Sequence, residues 1–306
     1  MKIRAILNKD GGTLRTMDLD ALCAMATDLF AREGHELDCK IVAGKDVEKA
    51  LKAAANDPCV EAVIAGGGDG TISAAAGIAF KSNKPLGVLP AGTMNLFARA
   101  LGMPLELDRA LAAIARGEVD RIDIATANGR PFVHQFGVGI HARLVRIRNG
   151  MVYRSRVGKM LASLRAILAA AVNPPRFEVE LHTEKGDRTA TATGVAISNN
   201  PLDDSPVPVA MTLNSGRLGV YVAHSVSTRE LLNLALDVMS GRWRANPAVS
   251  ETEVRDLILR FPKRKRGTHA VVDGELIDLE KAVDLQLHPL ALPVIRPPAD
   301  MRTNGR

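Results

Sequence analysis

Aromatic residues make up only 3% of this 306-residue sequence, so aliphatic side chains must build most of any core. No stretch reaches the ~18 apolar residues that a membrane-spanning helix needs. The nearest, Val157 to Val172, is interrupted by Lys159, Ser163 and Arg165. The opening MKIRAILNKDGG has too short an apolar run for a signal peptide and no cleavage site. The three cysteines, Cys23, Cys39 and Cys59, are an odd number without C-x-x-C spacing, which predicts buried thiols in a reducing cytoplasm. The seven histidines contain no H-x-x-x-H pair, and no G-x-S-x-G elbow exists, so neither a histidine metal site nor a serine hydrolase is supported.

Acidic residues are missing from one long segment. Between Asp123 and Glu178 there is none, while Arg130, Arg143, Arg146, Arg148, Arg154, Arg156, Lys159, Arg165 and Arg176 place nine positive charges there. The whole chain carries +6, so the remainder is about −3 (6 minus 9). Such a block suits an anionic partner, and anionic lipid attracts roughly 1 kcal/mol per basic side chain at its surface. A nucleic-acid reading lacks support, because only Phe132, Phe136 and Tyr153 interleave the charges. An amphipathic helix over Val157 to Val172 is the expected contact with anionic lipid, making the protein cytoplasmic and peripherally membrane-bound. The basic run Lys263-Arg264-Lys265-Arg266 reads as a solvated loop.

What is present is the composition of a folded protein, 46% hydrophobic and 24% charged, long enough for one or two domains. Up to residue 125, apolar strands alternate with helices: strands at 3–7, 37–42, 60–65, 86–89 and 122–125, and helices at 18–32, 46–55, after Gly70, through Leu101 and at 107–116. That alternation predicts a parallel sheet with helices on both faces. From residue 126 strands dominate, at 132–137, 177–182, 189–198, 219–224, 256–261, 269–272 and 284–288, with helices at 157–172 and 228–240. The expected organisation is an α/β domain over 1–125, a β-rich domain over 126–296 and a loose tail over 297–306.

Gly66-Gly67-Gly68-Asp69-Gly70-Thr71 lies between an apolar strand and an Ala-rich helix. Glycines let backbone N–H groups approach an anion, and a helix N-terminus adds unpaired donors and a positive dipole end. No Lys-Ser/Thr pair follows at P-loop spacing, and the acid a dinucleotide ribose needs ~20 residues on is absent. A carboxylate such as Asp69 beside phosphates is repulsive unless a cation lies between, which points to Mg²⁺; as a bare turn, Asp69 would be a helix cap. One strand later, Leu89-Pro90-Ala91-Gly92-Thr93-Met94-Asn95 repeats the strand–turn–helix arrangement. Two such turns at the carboxyl edge of a sheet form a ligand crevice. Asp273-Gly274 between apolar runs is by itself a hairpin signal.

Together these segments resemble the diacylglycerol kinase and sphingosine kinase-like lipid kinases, relatives of NAD kinases and phosphofructokinases. The resemblance spans nearly the whole chain: Asn8 and its Gly-rich turn, Gly67 to Thr71, Leu89 to Asn95, Arg121-Ile122-Asp123 and Asp273-Gly274-Glu275. It implies a Rossmann-like nucleotide-binding domain followed by a β-sandwich, with the active site between them. It implies ATP bound by Asn8, Gly67, Gly68, Asp69, Gly70, Thr71, Ile72, Ser73, Gly92, Thr93 and Asn95, with Mg²⁺ near Asp69 and Asp123. It puts general-base catalysis on Glu275, with Asp273 beside it, and a lipid alcohol such as diacylglycerol as acceptor. Two departures stand out. Leu96 replaces a frequent Asp, and Leu213-Asn214-Ser215-Gly216 replaces an L-D-D-G turn that holds a structural Mg²⁺ in many bacterial members. An NAD kinase-like enzyme and a non-catalytic lipid- or nucleotide-binding homologue remain the alternatives.

Overall fold

The computed structural model describes residues 1–149, 174–205, 207–210, 212–224 and 227–303. The helix expected at 157–172 and the charges at 154, 156, 159 and 165 lie outside them.

The first unit follows the alternation of its sequence. Strands β1 (Lys2–Asn8), β2 (Glu36–Val42), β3 (Ala62–Gly67) and β4 (Leu86–Pro90) pair in parallel in the order β2-β1-β3-β4. Helices α1 (Leu19–Arg32), α2 (Val47–Asn56), α3 (Asp69–Ser82), α4 (Leu96–Ala100) and α5 (Leu107–Ala115) connect them or lead on to the next unit. Asp18 caps α1 by accepting from the Ala21 N–H at 3.0 Å. β3 and β4 are buried throughout, which is why their sequences are unbroken apolar or glycine runs rather than alternating ones. Strand order reverses beside β1, and at such a switch point loops after the carboxyl ends of neighbouring strands leave a crevice.

β5 (Glu118–Ala127) leaves this unit and enters the second, where β6 (Arg130–Phe132), β7 (Gln135–Gly139), β8 (Phe177–Thr183), β9 (Gly186–Asn199), β10 (Leu218–His224), β11 (Val249–Val254), β12 (Asp256–Arg260), β13 (His269–Val272) and β14 (Glu275–Asp278) pair antiparallel. Helices α6 (Ile140–Asn149) and α7 (Thr228–Met239) accompany them, and α7 opens on a capping box between Ser227 and Glu230. β15 (Ala282–Arg296) runs antiparallel to β5 across both units and bridges to β4 at Val294↔Leu86. Two main cores result. One gathers residues between Ile3 and Ile124 with Val133, Ala210, Leu213, Leu292, Val294 and Ile295; the other gathers residues of the second unit from Ala125 to Leu287.

Three expectations need correction. The segment 297–303 is not loose: the Thr303 N–H and hydroxyl donate to the Gly102 and Met103 carbonyls, and Met301 packs on the first core. The cysteines are not buried thiols. Cys23 of α1 and Cys39 of β2 form a disulfide, and Cys59 is exposed. The β-rich region also does not own the whole of β15, whose last turn-free stretch returns to the first unit. Among the described residues no helix is long and apolar enough to cross a membrane.

Candidate active site

Three loops meet at the carboxyl edge of the parallel sheet. After β1, Gly12 takes φ +46 and approaches so closely that a Cβ there would overlap the Ala91 carbonyl oxygen, while the Thr13 N–H donates to that oxygen at 2.8 Å. After β3, the side chain of Thr71 folds back over Gly67, 2.7 Å from where a Cβ would stand, and accepts from Asn8 Nδ2 at 3.0 Å. After β4, the Gly92 and Gly68 backbones touch: a Cβ on Gly92 would lie 2.8 Å from Gly68 Cα. Asn95, itself at φ 52, closes the last turn by accepting from the Gly92 N–H at 2.8 Å and donating to the Gly92 carbonyl at 3.2 Å.

No side chain caps α3 at Gly68, so the first amides of the helix keep the unpaired donors of a helix N-terminus. Asp69 turns instead to the neighbouring loop, where its two carboxylate oxygens accept from the Leu96 N–H (2.7 Å) and the Asn95 N–H (3.2 Å). The carboxylate therefore caps the start of α4. The hydrophobic Leu96 does this job through its backbone, so the loss of Asp at that position leaves the turn intact. Ile72 departs from its expected role at a nucleotide: its side chain is in the first core and its N–H donates to the Gly68 carbonyl. Thr93 lies exposed on the Gly92 turn.

One face of α3 meets the second unit. Gly70, Ser73 and Gly77, at helical spacing, receive Glu275, Asp273 and Pro131 in turn. A Cβ on Gly70 would sit 3.5 Å from Glu275 Oε1, and one on Gly77 would sit 3.5 Å from Pro131. The Ser73 hydroxyl donates to Asp273 Oδ2 at 2.7 Å. Asp273, at φ 46 in the β13–β14 turn, also accepts from the Val133, His134 and Gln135 N–H groups, each at 2.9 Å. Four donors leave Asp273 little freedom to act on a substrate; it fastens the two units together. Glu275 stays exposed and, among the described residues, is bonded by the Arg130 guanidinium at 2.6 Å. His134 lies within electrostatic reach of Asp273 and Asp69, yet burial pushes its imidazole below the ordinary value of 6.5 despite both carboxylates.

Asp123 does not join this site. It is 1% exposed, and its oxygens accept from the Gly216 N–H (2.8 Å) and the Leu290 N–H (2.9 Å), so it ties the 213–216 turn and the bulge of β15 to β5. A buried carboxylate so engaged is a structural acceptor rather than the expected metal ligand. The same turn is held further by the Ser215 N–H and hydroxyl, which donate to Asn200 Oδ1 at 2.9 and 2.6 Å. Hydrogen bonds therefore hold the turn that lacks the L-D-D-G carboxylates. Among the described residues no group of three or more His, Cys, Asp or Glu gathers into a metal cage. At the glycine loops Asp69 offers a carboxylate whose oxygens each keep a lone pair beyond one backbone donor. That fits Mg²⁺ held by one carboxylate and substrate phosphates, not by an all-protein cage.

Sequence reading missed Arg130, His134 and Gln135 as members of the site. A usable signal was present in the glycine–serine–glycine stripe of α3, which marks a helix face that another backbone approaches closely.

Comparison with known proteins points to one group of enzymes. The diacylglycerol kinase catalytic domain matches residues 2–127, the segment that carries all three loops. Over that segment the chain is similar to the diacylglycerol kinase-like lipid kinases. The Bacillus subtilis diacylglycerol kinase is 28% identical over 231 residues, covering 71% of this chain and 73% of that protein. An uncharacterised Synechocystis protein is 27% identical over 264 residues, covering 83% of this chain but only 59% of that protein's length. Two solved Bacillus anthracis structures, one of them a diacylglycerol kinase, align over 97% of this chain with TM-scores of 0.78 and 0.71 at 21% and 18% identity. At that identity the likeness shows a shared fold, an α/β unit joined to a β-rich one.

Proposed function

We propose that this protein transfers the γ-phosphoryl group of ATP to the hydroxyl of a lipid alcohol, diacylglycerol or a close relative. The observation that carries the reading is Glu275, whose Oε1 lies 3.5 Å from where a Cβ on Gly70 would stand, at the open end of α3. A carboxylate placed there faces the helix terminus where a nucleotide's last phosphate would rest.

In this reading the triphosphate lies on the amides of Gly68 to Thr71, beside the Gly92–Thr93 turn, with Asn8 holding Thr71 in place. Asp69 would hold the Mg²⁺ that accompanies the nucleotide, and that ion would supply charge neutralisation when bound. The lipid hydroxyl enters between the units; Glu275 takes its proton, the hydroxyl oxygen bonds to the γ-phosphorus, and the bond to the ADP oxygen breaks. Positioning and charge stabilisation do most of the work in phosphoryl transfer, and a general base contributes typically ~10²–10⁴-fold. Asp273 and Ser73 hold the two halves of the site in register.

The acid-free segment 124–177 is proposed to dock on anionic lipid, giving peripheral membrane association. Its described part includes α6, where Arg143 and Arg146 lie on a helix with no acid. Vesicle sedimentation across a salt series tests this, since binding indifferent to salt and lipid charge contradicts it. For the activity, labelled ATP is offered with a panel of lipid alcohols and, separately, NAD. Label in a lipid phosphate supports the reading; label in NAD, or in no acceptor, overturns it.

A further inference from the structure

We propose that Arg130 is a positioning residue that aims Glu275 at the phosphate turn; the inference rests on the kinase reading above. Glu275 opens β14, which pairs with β13 and leaves its side chain exposed. Among the described residues, Arg130 is the only side chain bonded to it, through Nη2 to Oε2 at 2.6 Å. The other oxygen, Oε1, is the one that faces Gly70. One oxygen is thus held and the other presented. Without the guanidinium, a glutamate with three rotatable bonds would sample many orientations in solvent.

The holder is itself fixed. Asn128 and Gly129, at φ 48 and 76, form the tight turn between β5 and β6, which sets Arg130 at a defined register opposite Ala127. Next in sequence, Pro131 rests against Gly77 of α3, and two residues further the Val133 N–H donates to Asp273. The backbone bearing Arg130 is therefore referenced to α3 and to the Asp273 clamp, the same parts that define the site. Both partners of the ion pair are about half exposed, at 46% and 57%. Exposed pairs contribute little to folding, so removing Arg130 acts on orientation and leaves stability nearly unchanged.

The test compares wild type, Arg130→Met, Arg130→Lys, Glu275→Gln and the double variant Arg130→Met/Glu275→Gln in lipid-dependent ATP turnover, with melting curves for each. Arg130→Met is expected to lower kcat by at least about tenfold, the scale of a misplaced catalytic group, with KM for ATP within about twofold and an unchanged Tm. Lysine restores the charge without the planar fork, so Arg130→Lys recovers part of the loss. The double variant is expected to be no slower than Glu275→Gln alone, because Arg130 acts through Glu275. Wild-type kcat in Arg130→Met, or losses that multiply in the double variant, would overturn the inference while leaving the kinase reading standing. A wild-type protein silent toward every lipid alcohol would overturn both.

Discussion

Alanine at Gly92 would place a methyl group 2.8 Å from Gly68 Cα, 2.8 Å from Asn95 Oδ1 and 3.4 Å from the Asp69 nitrogen. Favourable carbon–carbon contacts begin near ~3.5 Å, so the two glycine turns must part by roughly 0.7 Å or more. Two of the three obstacles are backbone atoms, which no rotamer change can move away. The Gly92 N–H to Asn95 bond, 2.8 Å long, is strained by the same displacement. Overpacking of this kind costs about 1–3 kcal/mol, which lowers Tm by about 2–4 °C for each kcal/mol in a chain of this size class. Nucleotide binding should fall further, because shifts near 1 Å in a positioned site can cost about 10²-fold. Gly68→Ala is the matched control. Its Cβ would meet Gly92 Cα at 3.6 Å, an ordinary contact, and Gly68 has a φ of −85, which alanine adopts freely. Gly68→Ala should therefore melt within about 1 °C of wild type, yet its methyl group stands at the open end of α3 and should weaken ATP binding. Thermal melts with and without ATP separate the two variants. A Gly92→Ala protein with wild-type Tm and wild-type ATP affinity would refute the proposed contact between the turns.

Asp273→Asn keeps an acceptor for the His134 and Gln135 N–H groups but turns an NH₂ toward the Val133 N–H, while the Ser73 hydroxyl can rotate to accept from that NH₂. Loss of the Val133 bond and of the acceptor's charge, discounted for partial exposure, should cost about 1–3 kcal/mol in denaturant unfolding; a change under about 0.5 kcal/mol would show that the clamp is not what joins the units. For His134, the folded pKa lies below 6.5 while the unfolded value is 6.5, so below that pH the unfolded chain binds a proton the folded chain does not. Stability therefore falls as pH drops through the window below 6.5, and His134→Gln should flatten the decline of Tm there. Equal slopes in the two proteins would remove His134 as its source.

Local signals were legible because they need only neighbouring residues. The strand–glycine–helix pattern at Gly66 to Thr71 and at Pro90 to Asn95 encodes two turns within a few positions each. What was not legible depends on partners far along the chain. Glu275 reaches Gly70 across 205 residues (275 minus 70), and nothing near either residue announces the contact. Asp123 looks like any acid at a strand, and only the fold brings the Gly216 and Leu290 amides to it. Asp69 likewise bonds the Asn95 and Leu96 amides, 26 and 27 residues on. Helix α6 escaped notice because it mixes arginines with apolar residues and follows β7 directly, without a Ser, Thr or Asp at its start. The disulfide joins Cys23 and Cys39 because α1 packs on β2, a tertiary fact that cysteine counting does not contain.

The most direct measurement pairs two assays on Glu275→Gln: equilibrium binding of MgATP, and turnover of ATP in the presence of the preferred lipid alcohol. If Glu275 is the base that serves the glycine turns, the dissociation constant should stay within about twofold while turnover drops by about 10²–10⁴-fold. Wild-type turnover in the glutamine variant, with ATP bound as tightly as before, would show that the proton leaves by another route and that the meeting of Glu275 with Gly70 has no catalytic meaning.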